Sequence, residues 1–232
     1  MSFNIAKSSV LHLGPNNTNL PYLLDGVKLS PKDTIRDLGI LIDSKLNFHN
    51  QCAAAAKKAI NTAHYVIKPF SFLNPHLFTT LYKIYVRPHL EYCIQVWRPH
   101  CKKSIELLEK AQRKITKWCP GLRYTPYVTR LQTLKLSSLN SRFDRGDLIE
   151  TYKFLTNHYN ISHDLFFSLS HNYSITRGHS LKLNFPKFRT NLRKFFFTNR
   201  VIFPWNRLPE PLIFASSTNL WKSRYDAAFP VF

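Results

Sequence analysis

The sequence predicts a mainly α chain with a small N-terminal β portion, an α+β fold. Three observations carry this. Short strand candidates separated by turn signals fill the first 45 residues. From about Leu46 the texture becomes helical, with stretches free of Gly and Pro. The 232 residues are 44% hydrophobic and 14% aromatic, which excludes a disordered basic tail and allows one large or two small cores.

In order along the chain, residues 9–13 are a short strand candidate and Gly14-Pro15-Asn16-Asn17 is a turn signal. Tyr22-Leu23-Leu24 runs into Asp25-Gly26, a hairpin-type turn. Residues 34–42 read as a strand interrupted at Gly39, where a bulge or the close approach of another backbone is expected. Residues 50–68 hold four consecutive alanines and neither Gly nor Pro, which favours helix. Residues 75–97 are a second helical stretch, with Leu77, Leu81 and Ile84 on one face and Pro88 as a kink or a new start. Residues 101–118 are a third, ended by Pro120-Gly121. A short helix near 127–134 and a longer one near 139–158 follow. The chain then reads as loop to about Thr190, with last helices over 191–203 and 218–229. Three segments are therefore expected: a β segment over 1–45, a helical domain over 46–119 and a basic helical extension over 120–232, with a sub-boundary between 160 and 190.

Lys and Arg number 33 against 13 Asp and Glu, a net charge of +20. In a chain that can fold, this points to a polyanion, either nucleic acid or an anionic membrane surface. The longest uncharged run, Ser8 to Leu24, is broken by Pro15 and Pro21, so no segment is expected to span a bilayer. Residues 1–7 lack the apolar block of a signal peptide. An intracellular protein of nucleus or cytoplasm is expected, neither secreted nor membrane-bound. Cys52, Cys93, Cys101 and Cys119 have no CxxC spacing and no His at zinc-finger distance, so reduced, buried thiols and no metal are expected. The six glycines form no GxGxxG or Walker pattern. Arg145-Gly146-Asp147 spells an adhesion tripeptide, which a helical context and no secretory route make incidental.

The 101–118 helix is the most informative. At 100° per residue, with Ile105 at 0°, Leu108, Ile115 and Trp118 fall at about 300, 280 and 220°, one apolar stripe. Lys102, Arg113, Lys117, Lys110, Lys103 and Lys114 fall at about 60, 80, 120, 140, 160 and 180°. These cations share one arc opposite the stripe, diluted only by Glu106 and Glu109. An ordinary solvated face, the alternative, mixes signs more evenly. The arc is read as a contact for a phosphate backbone, which positions a duplex without reading its sequence. Membrane-surface helices need a large exposed apolar face, and this stripe suits a core, so no membrane partner is expected.

Residues 165–209 contain eight Lys/Arg and no acid. Within them, Leu192, Phe195, Phe196, Asn199, Ile202 and Phe203 follow helical spacing. That is a buried helix face first and a base-stacking platform second. Arg189, Arg193, Lys194 and Arg200 are left as exposed candidates.

Several strings then carry a resemblance. They are Phe3-Asn-Ile-Ala-Lys7, Val10-Leu-His-Leu-Gly14, Ile35-Arg-Asp-Leu-Gly-Ile-Leu-Ile-Asp-Ser-Lys-Leu-Asn-Phe48 and Tyr82-Lys-Ile-Tyr-Val-Arg-Pro-His-Leu-Glu-Tyr-Cys-Ile-Gln-Val-Trp97. Leu108-Glu-Lys-Ala-Gln-Arg-Lys-Ile-Thr-Lys117, Arg145-Gly-Asp-Leu-Ile-Glu-Thr-Tyr-Lys153, Thr176-Arg-Gly-His-Ser-Leu-Lys-Leu183 and Arg200-Val-Ile-Phe-Pro-Trp-Asn-Arg-Leu-Pro209 complete the set. In this order they resemble the C-terminal third of a jockey-like, non-LTR (LINE-type) retrotransposon reverse transcriptase, over nearly the whole chain.

The resemblance implies a right-handed, RNA-directed DNA polymerase. Residues 1–13 would be the end of the palm, 36–42 the primer-grip hairpin, 46–119 the thumb and 120–232 a C-terminal extension that binds RNA or target DNA. It places Lys7 at the post-catalytic lysine, a general acid toward the pyrophosphate leaving group, although Ser8 stands where the family often has Cys. It puts Arg36 and Gly39 where the primer strand approaches the backbone. The implied partners are RNA and DNA, as a template–primer duplex, and a missing upstream polymerase part. Two-metal chemistry needs paired carboxylates. The chain has no Asp-Asp, and Asp25, Asp33, Asp37 and Asp43 follow the point where that site would lie. The expectation is a fragment inactive alone, with no cofactor in this chain and Mg²⁺ only in the intact parent enzyme. The alternative expectation is a non-catalytic nucleic-acid-binding protein derived from such an element.

Overall fold

Turn residues cut the N-terminal strands short. The computed structural model describes residues 3–14, 16–70, 72–170 and 178–230. Pro15 of the expected turn and Thr176 and Arg177 of the quoted strings lie outside the described residues. Asn4 caps a single 3-10 turn, Ile5–Lys7, by accepting from the Lys7 amide. β1 (Ser9–Val10) stops short of the expected Leu13. β2 (Leu23–Leu24) and β3 (Val27–Lys28) form the anticipated hairpin, with Asp25 and Gly26 at φ 50 and 77°. Those angles fit the type I′ turn that matches strand twist. β4 (Ser30–Pro31) pairs in parallel with β1.

β5 (Thr34–Asp37) and β6 (Ile40–Asp43) form a second hairpin, in register from Thr34↔Asp43 to Asp37↔Ile40. Gly39 is therefore not a bulge in one strand. With Leu38 it makes a two-residue turn, at φ 44 and 87°, and only Gly reaches the second angle without strain. The Asp43 carboxylate accepts from the amides of Lys45, Asn47 and Phe48 at 3.0, 3.3 and 3.0 Å. That fixes the loop into α1 (His49–Val66). Gln51 Oε1 accepts from the Leu41 amide at 2.9 Å and ties β6 to the first turn of α1.

α2 (Pro75–Leu81) is capped by Asn74 and continues through one π turn, Tyr82–Val86, into α3 (Arg87–Glu91). Pro88 has no N–H for the Ile84 carbonyl and its ring crowds it. The Arg87 amide instead reaches back to the Tyr82 carbonyl. A π turn holds more residues than an α turn, so every fourth residue stays in line. Phe78, Tyr82, Val86 and Leu90 are accordingly buried, each 0% exposed. Of the face expected from spacing, Leu77 and Leu81 are half-buried and Ile84 is exposed. α4 (Ile94–Trp97) begins after a left-handed Cys93.

α5 (Lys102–Thr116) runs parallel to α1. His49 Nδ1 meets Ser104 Oγ at 3.0 Å at one end, and the His64 and Trp118 rings meet at the other. The α1 face in the core is small, with Cys52, Ala55, Ala56, Ala59 and Ala63 buried, which lets the two helices approach. α6 (Tyr127–Thr133) closes with Lys135 at φ 49° and the Leu136 amide on the Leu131 carbonyl. α7 (Leu139–Leu155) is capped by Ser138. It ends before the expected His158, whose amide closes onto the Lys153 carbonyl past a left-handed Asn157.

Two hydrophobic cores share α7. Leu139 and Phe143 complete the first, with Ile40, Phe78, Leu108 and Ile115 among its members. Leu148, Ile149, Tyr152 and Leu155 join the second, with Phe167, Trp205 and Trp221.

Residues 191–203 do not form one helix. They break into α8 (Asn191–Lys194), α9 (Phe197–Arg200) and the start of α10 (Ile202–Asn206). Phe196 is extended, with ψ 147°, and Asn199 Nδ2 donates to the Arg193 carbonyl at 2.6 Å across the break. The break turns the apolar face: Phe197, Val201, Ile202 and Trp205 are buried, whereas Leu192, Phe196 and Phe203 of the expected face are exposed. α11 (Glu210–Ile213) is a further turn, and α12 (Thr218–Ala228), capped by Ser217, matches the expected last helix.

The observed class is mainly α with short strands before residue 44. Among the described residues no helix is long and apolar enough to cross a membrane. All four cysteines are free. Cys52 and Cys119 are buried as expected, but Cys93 is half-buried and Cys101, in the loop before α5, is exposed.

Candidate nucleic-acid interface

Leu108, Ala111 and Ile115 fix the inner side of α5 in the first core. The opposite side then faces solvent. Lys102, Lys103, Lys110, Lys114 and Lys117 are exposed, and among the described residues none of them forms an ion pair. Arg113 differs. It pairs with Glu106 and lies 5.0 Å over the Tyr127 ring. Glu109 does not dilute the arc as expected, because it is buried. Its carboxylate accepts from the Tyr127 hydroxyl and, at 3.1 Å, from the Leu139 amide. That amide opens α7, where the helix dipole favours an anion. Burial, then the bond to Glu109, raises the Tyr127 phenol well above its ordinary value. Gln112 extends this chain inward, donating to Tyr127 Oη and to the Ser137 carbonyl, both at 2.9 Å, and accepting from Tyr82. The back of α5 is thus held by a paired polar network as well as by apolar packing.

α1 adds cations that the sequence reading passed over. Lys57 on the helix and Lys68 just past its end are exposed, as is the His64 ring, which lies 3.4 Å from Lys68 Nζ. The His64–Trp118 contact, with ring centroids 6.4 Å apart, sets this edge beside the end of α5.

The other candidates divide. Arg36 and Gly39 sit exposed on the β5–β6 hairpin, where Arg36 Nη1 donates to the Gly39 carbonyl at 3.0 Å. The Tyr92 hydroxyl donates to the Leu38 carbonyl at 3.2 Å and holds the tip against the end of α3. Lys7 ends its 3-10 turn exposed and without an ion pair among the described residues. Arg189 is exposed ahead of α8. Arg193 and Lys194 are exposed, each 5.5 Å over a phenyl ring, of Phe196 and Phe195 respectively. Phe195 stacks on His100 with centroids 4.7 Å apart and 7° between planes. That stack sets α8 beside the residues leading into Lys102, so the two basic surfaces adjoin.

Arg200 is a correction, because it is no surface group. Its side chain is 11% exposed, and Nε and Nη2 grip the Asp147 carboxylate at 2.8 and 2.9 Å. Nη1 and Nη2 also donate to the carbonyls of Phe195 and Gln95 at 3.1 and 3.0 Å. Arg98 approaches the same carboxylate from the other side, with Nη1 at 2.8 Å. Asp147, the last residue of the adhesion-like tripeptide, is 2% exposed.

The acids present do not fit the two-metal site that the resemblance implies for the intact enzyme. Asp43 is buried and committed to backbone amides, while Asp25 and Asp37 lie on separate hairpins. Among the described residues no three His, Cys, Asp or Glu are grouped to hold a metal ion.

No family model and no solved structure matches the chain. Over 101 residues it is 36% identical to an uncharacterized protein of Caenorhabditis elegans, a stretch covering 42% of this chain and 50% of that protein. The chain thus spans about half the length of the curated relative it matches.

Proposed function

We propose that this chain is the template–primer-binding part of an RNA-directed DNA polymerase of the non-LTR retrotransposon type, and that it holds the nucleic-acid duplex by its phosphates. The observation that carries this reading is the row of exposed lysines along α5, which have no ion pair among the described residues. From Lys103 to Lys117 the helix rises about 21 Å at 1.5 Å per residue. That is roughly six steps of one strand at about 3.4 Å each. An uncompensated row of this length suits backbone phosphates, and it leaves base sequence unread. In the same reading Arg36 and Gly39 sit at the primer end, and Arg189, Arg193 and Lys194 prolong the phosphate track. Lys7 would act as general acid only in an intact enzyme. With no fitting acids, this chain by itself is proposed to lack polymerase activity.

A second reading is a non-catalytic nucleic-acid-binding module. It is favoured by the Arg98–Asp147–Arg200 node, which joins the α1–α6 helices to the C-terminal helices as one unit.

Fluorescence anisotropy with an RNA–DNA hybrid, titrated across salt, tests the shared claim. Changing Lys103, Lys110 and Lys114 together to Glu should weaken binding more than tenfold. It should also flatten the slope of log K against log salt by about 3, at about 0.9 per lost phosphate contact. An unchanged affinity and slope would remove α5 from the interface.

A further inference from the structure

A second cationic site lies off α5. Lys83 of the π turn, Arg87 of α3, Lys135 after α6 and Arg142 of α7 line an open cleft of about 570 Å³, with Tyr225 and Phe229 at the end of α12 on its wall. Asp144 and Asp226 also line the cleft, with Arg145, and these carboxylates and that of Glu91 already hold arginines. Glu91 takes Arg142 through two bonds of 2.9 Å and shares itself with Arg87 at 3.7 Å. Asp226 is held by Arg145 through two bonds of 2.7 Å, and Asp144 by Arg98 at 2.6 Å. Lys83 and Lys135 have no acid partner among the described residues.

These cations are held together against their own repulsion. Burial, then Arg87, Arg142 and Lys135, lowers the proton affinity of Lys83. Burial, then Arg142, does the same to Arg87. Lys135 also sits at φ 49°, a left-handed position where Gly or Asn is the ordinary occupant. Ser137 and Ser141 line the same cleft and bring hydroxyl donors. A single carboxylate would leave one of the two lysines unanswered. A phosphate answers both and accepts from guanidinium forks and hydroxyls together.

We infer that this cleft is an anion site for a phosphate-bearing ligand with closely spaced charges, either the terminal phosphate of a nucleic-acid strand or a nucleotide polyphosphate. The site is independent of the α5 row, and its failure leaves the duplex reading untouched.

Isothermal titration of the full chain with inorganic tripolyphosphate tests it. The variants are Lys83→Ala with Lys135→Gly, and the α5 triple Lys→Glu variant. The first should fold, since it removes repulsion and backbone strain, and should bind at least tenfold more weakly than wild type. The α5 variant should bind within about twofold of wild type. Lys83→Gln and Lys135→Asn, made singly, keep the test open if the double variant misfolds, and each should weaken binding. Competition by a 5′-phosphorylated oligonucleotide, but not its 5′-hydroxyl twin, would identify a strand end as the ligand. Competition by ATP with no difference between the oligonucleotides would identify a nucleotide. No binding by wild type, equal binding by wild type and the cleft variants, or a loss confined to the α5 variant would overturn the inference.

Discussion

The outer face of α5 and the segment over residues 189–207 are both rich in cations, but only the second has one, Arg200, drawn inside. On α5 and its C-cap the five lysines stay in water, with no acid partner among the described residues. In the C-terminal segment Arg200 is drawn inside to Asp147, while Arg193, Lys194 and Arg207 lie over phenyl rings 5.5, 5.5 and 3.9 Å away. The difference is one of acid delivery. Residues 165–209 contain no acid of their own, yet α7 brings Asp147 to Arg200 from 53 positions away. α5 carries two acids, and both are diverted, Glu106 to Arg113 and Glu109 to the interior. Local charge therefore does not decide whether a cation is available to a ligand. The carboxylate that packing supplies decides it.

Removing that carboxylate should give the largest contrast. Asp147→Ala leaves Arg98 and Arg200 buried without their shared partner, and urea unfolding should show a loss of about 3–5 kcal/mol. Lys110→Ala, at an exposed position, should stay within about 0.5 kcal/mol. Equal losses would mean that the two regions do not differ as described.

A smaller effect separates members of the α5 arc itself. Lys114→Ala should lower the salt slope of duplex binding by about 0.9. Arg113→Ala should change it far less, because that guanidinium already answers Glu106. If the two variants behave alike, the Glu106 pair opens on binding and Arg113 rejoins the row.

The smallest effect probes the seam that keeps the α5 row facing outward. Cys52 lies in the small-residue face of α1, and burial pushes its thiol from 9.0 up to about 12. In the unfolded chain this thiol ionises first, so its contribution to stability is present below pH 9.0 and is lost as pH rises toward about 12. Mass mapping after iodoacetamide at pH 8 should find Cys101 modified and Cys52 untouched. Early modification of Cys52 would show a loose α1–α5 seam.

Much of the helical frame was legible because its signals are local. The alanine run predicts α1, Pro120-Gly121 ends the α5 segment, and Asp25-Gly26 makes the turn its residue types demand. The outward row on α5 was legible for the same reason, since helical phase depends only on spacing. Of the Leu77–Leu81–Ile84 face, Leu77 and Leu81 pack against the first core as expected, and Ile84 was misjudged because it falls inside the π turn, where the helical phase changes. The continuous helix over residues 191–203 was misjudged because a side-chain bond, Asn199 to the Arg193 carbonyl, stabilises a break that apolar spacing does not reveal. The cleft at Lys83 and Lys135 had no sequence signal, since its cations come from four separate elements.

Turn positions, helix phase and the charge of +20 follow from neighbouring residues, because backbone propensity and periodicity act over a few positions. Which of those charges remain in water does not. It rests on pairs such as Arg200–Asp147 and Glu109–Leu139, whose members meet only when distant helices pack. A buried charge must find its partner there, and an exposed one need not.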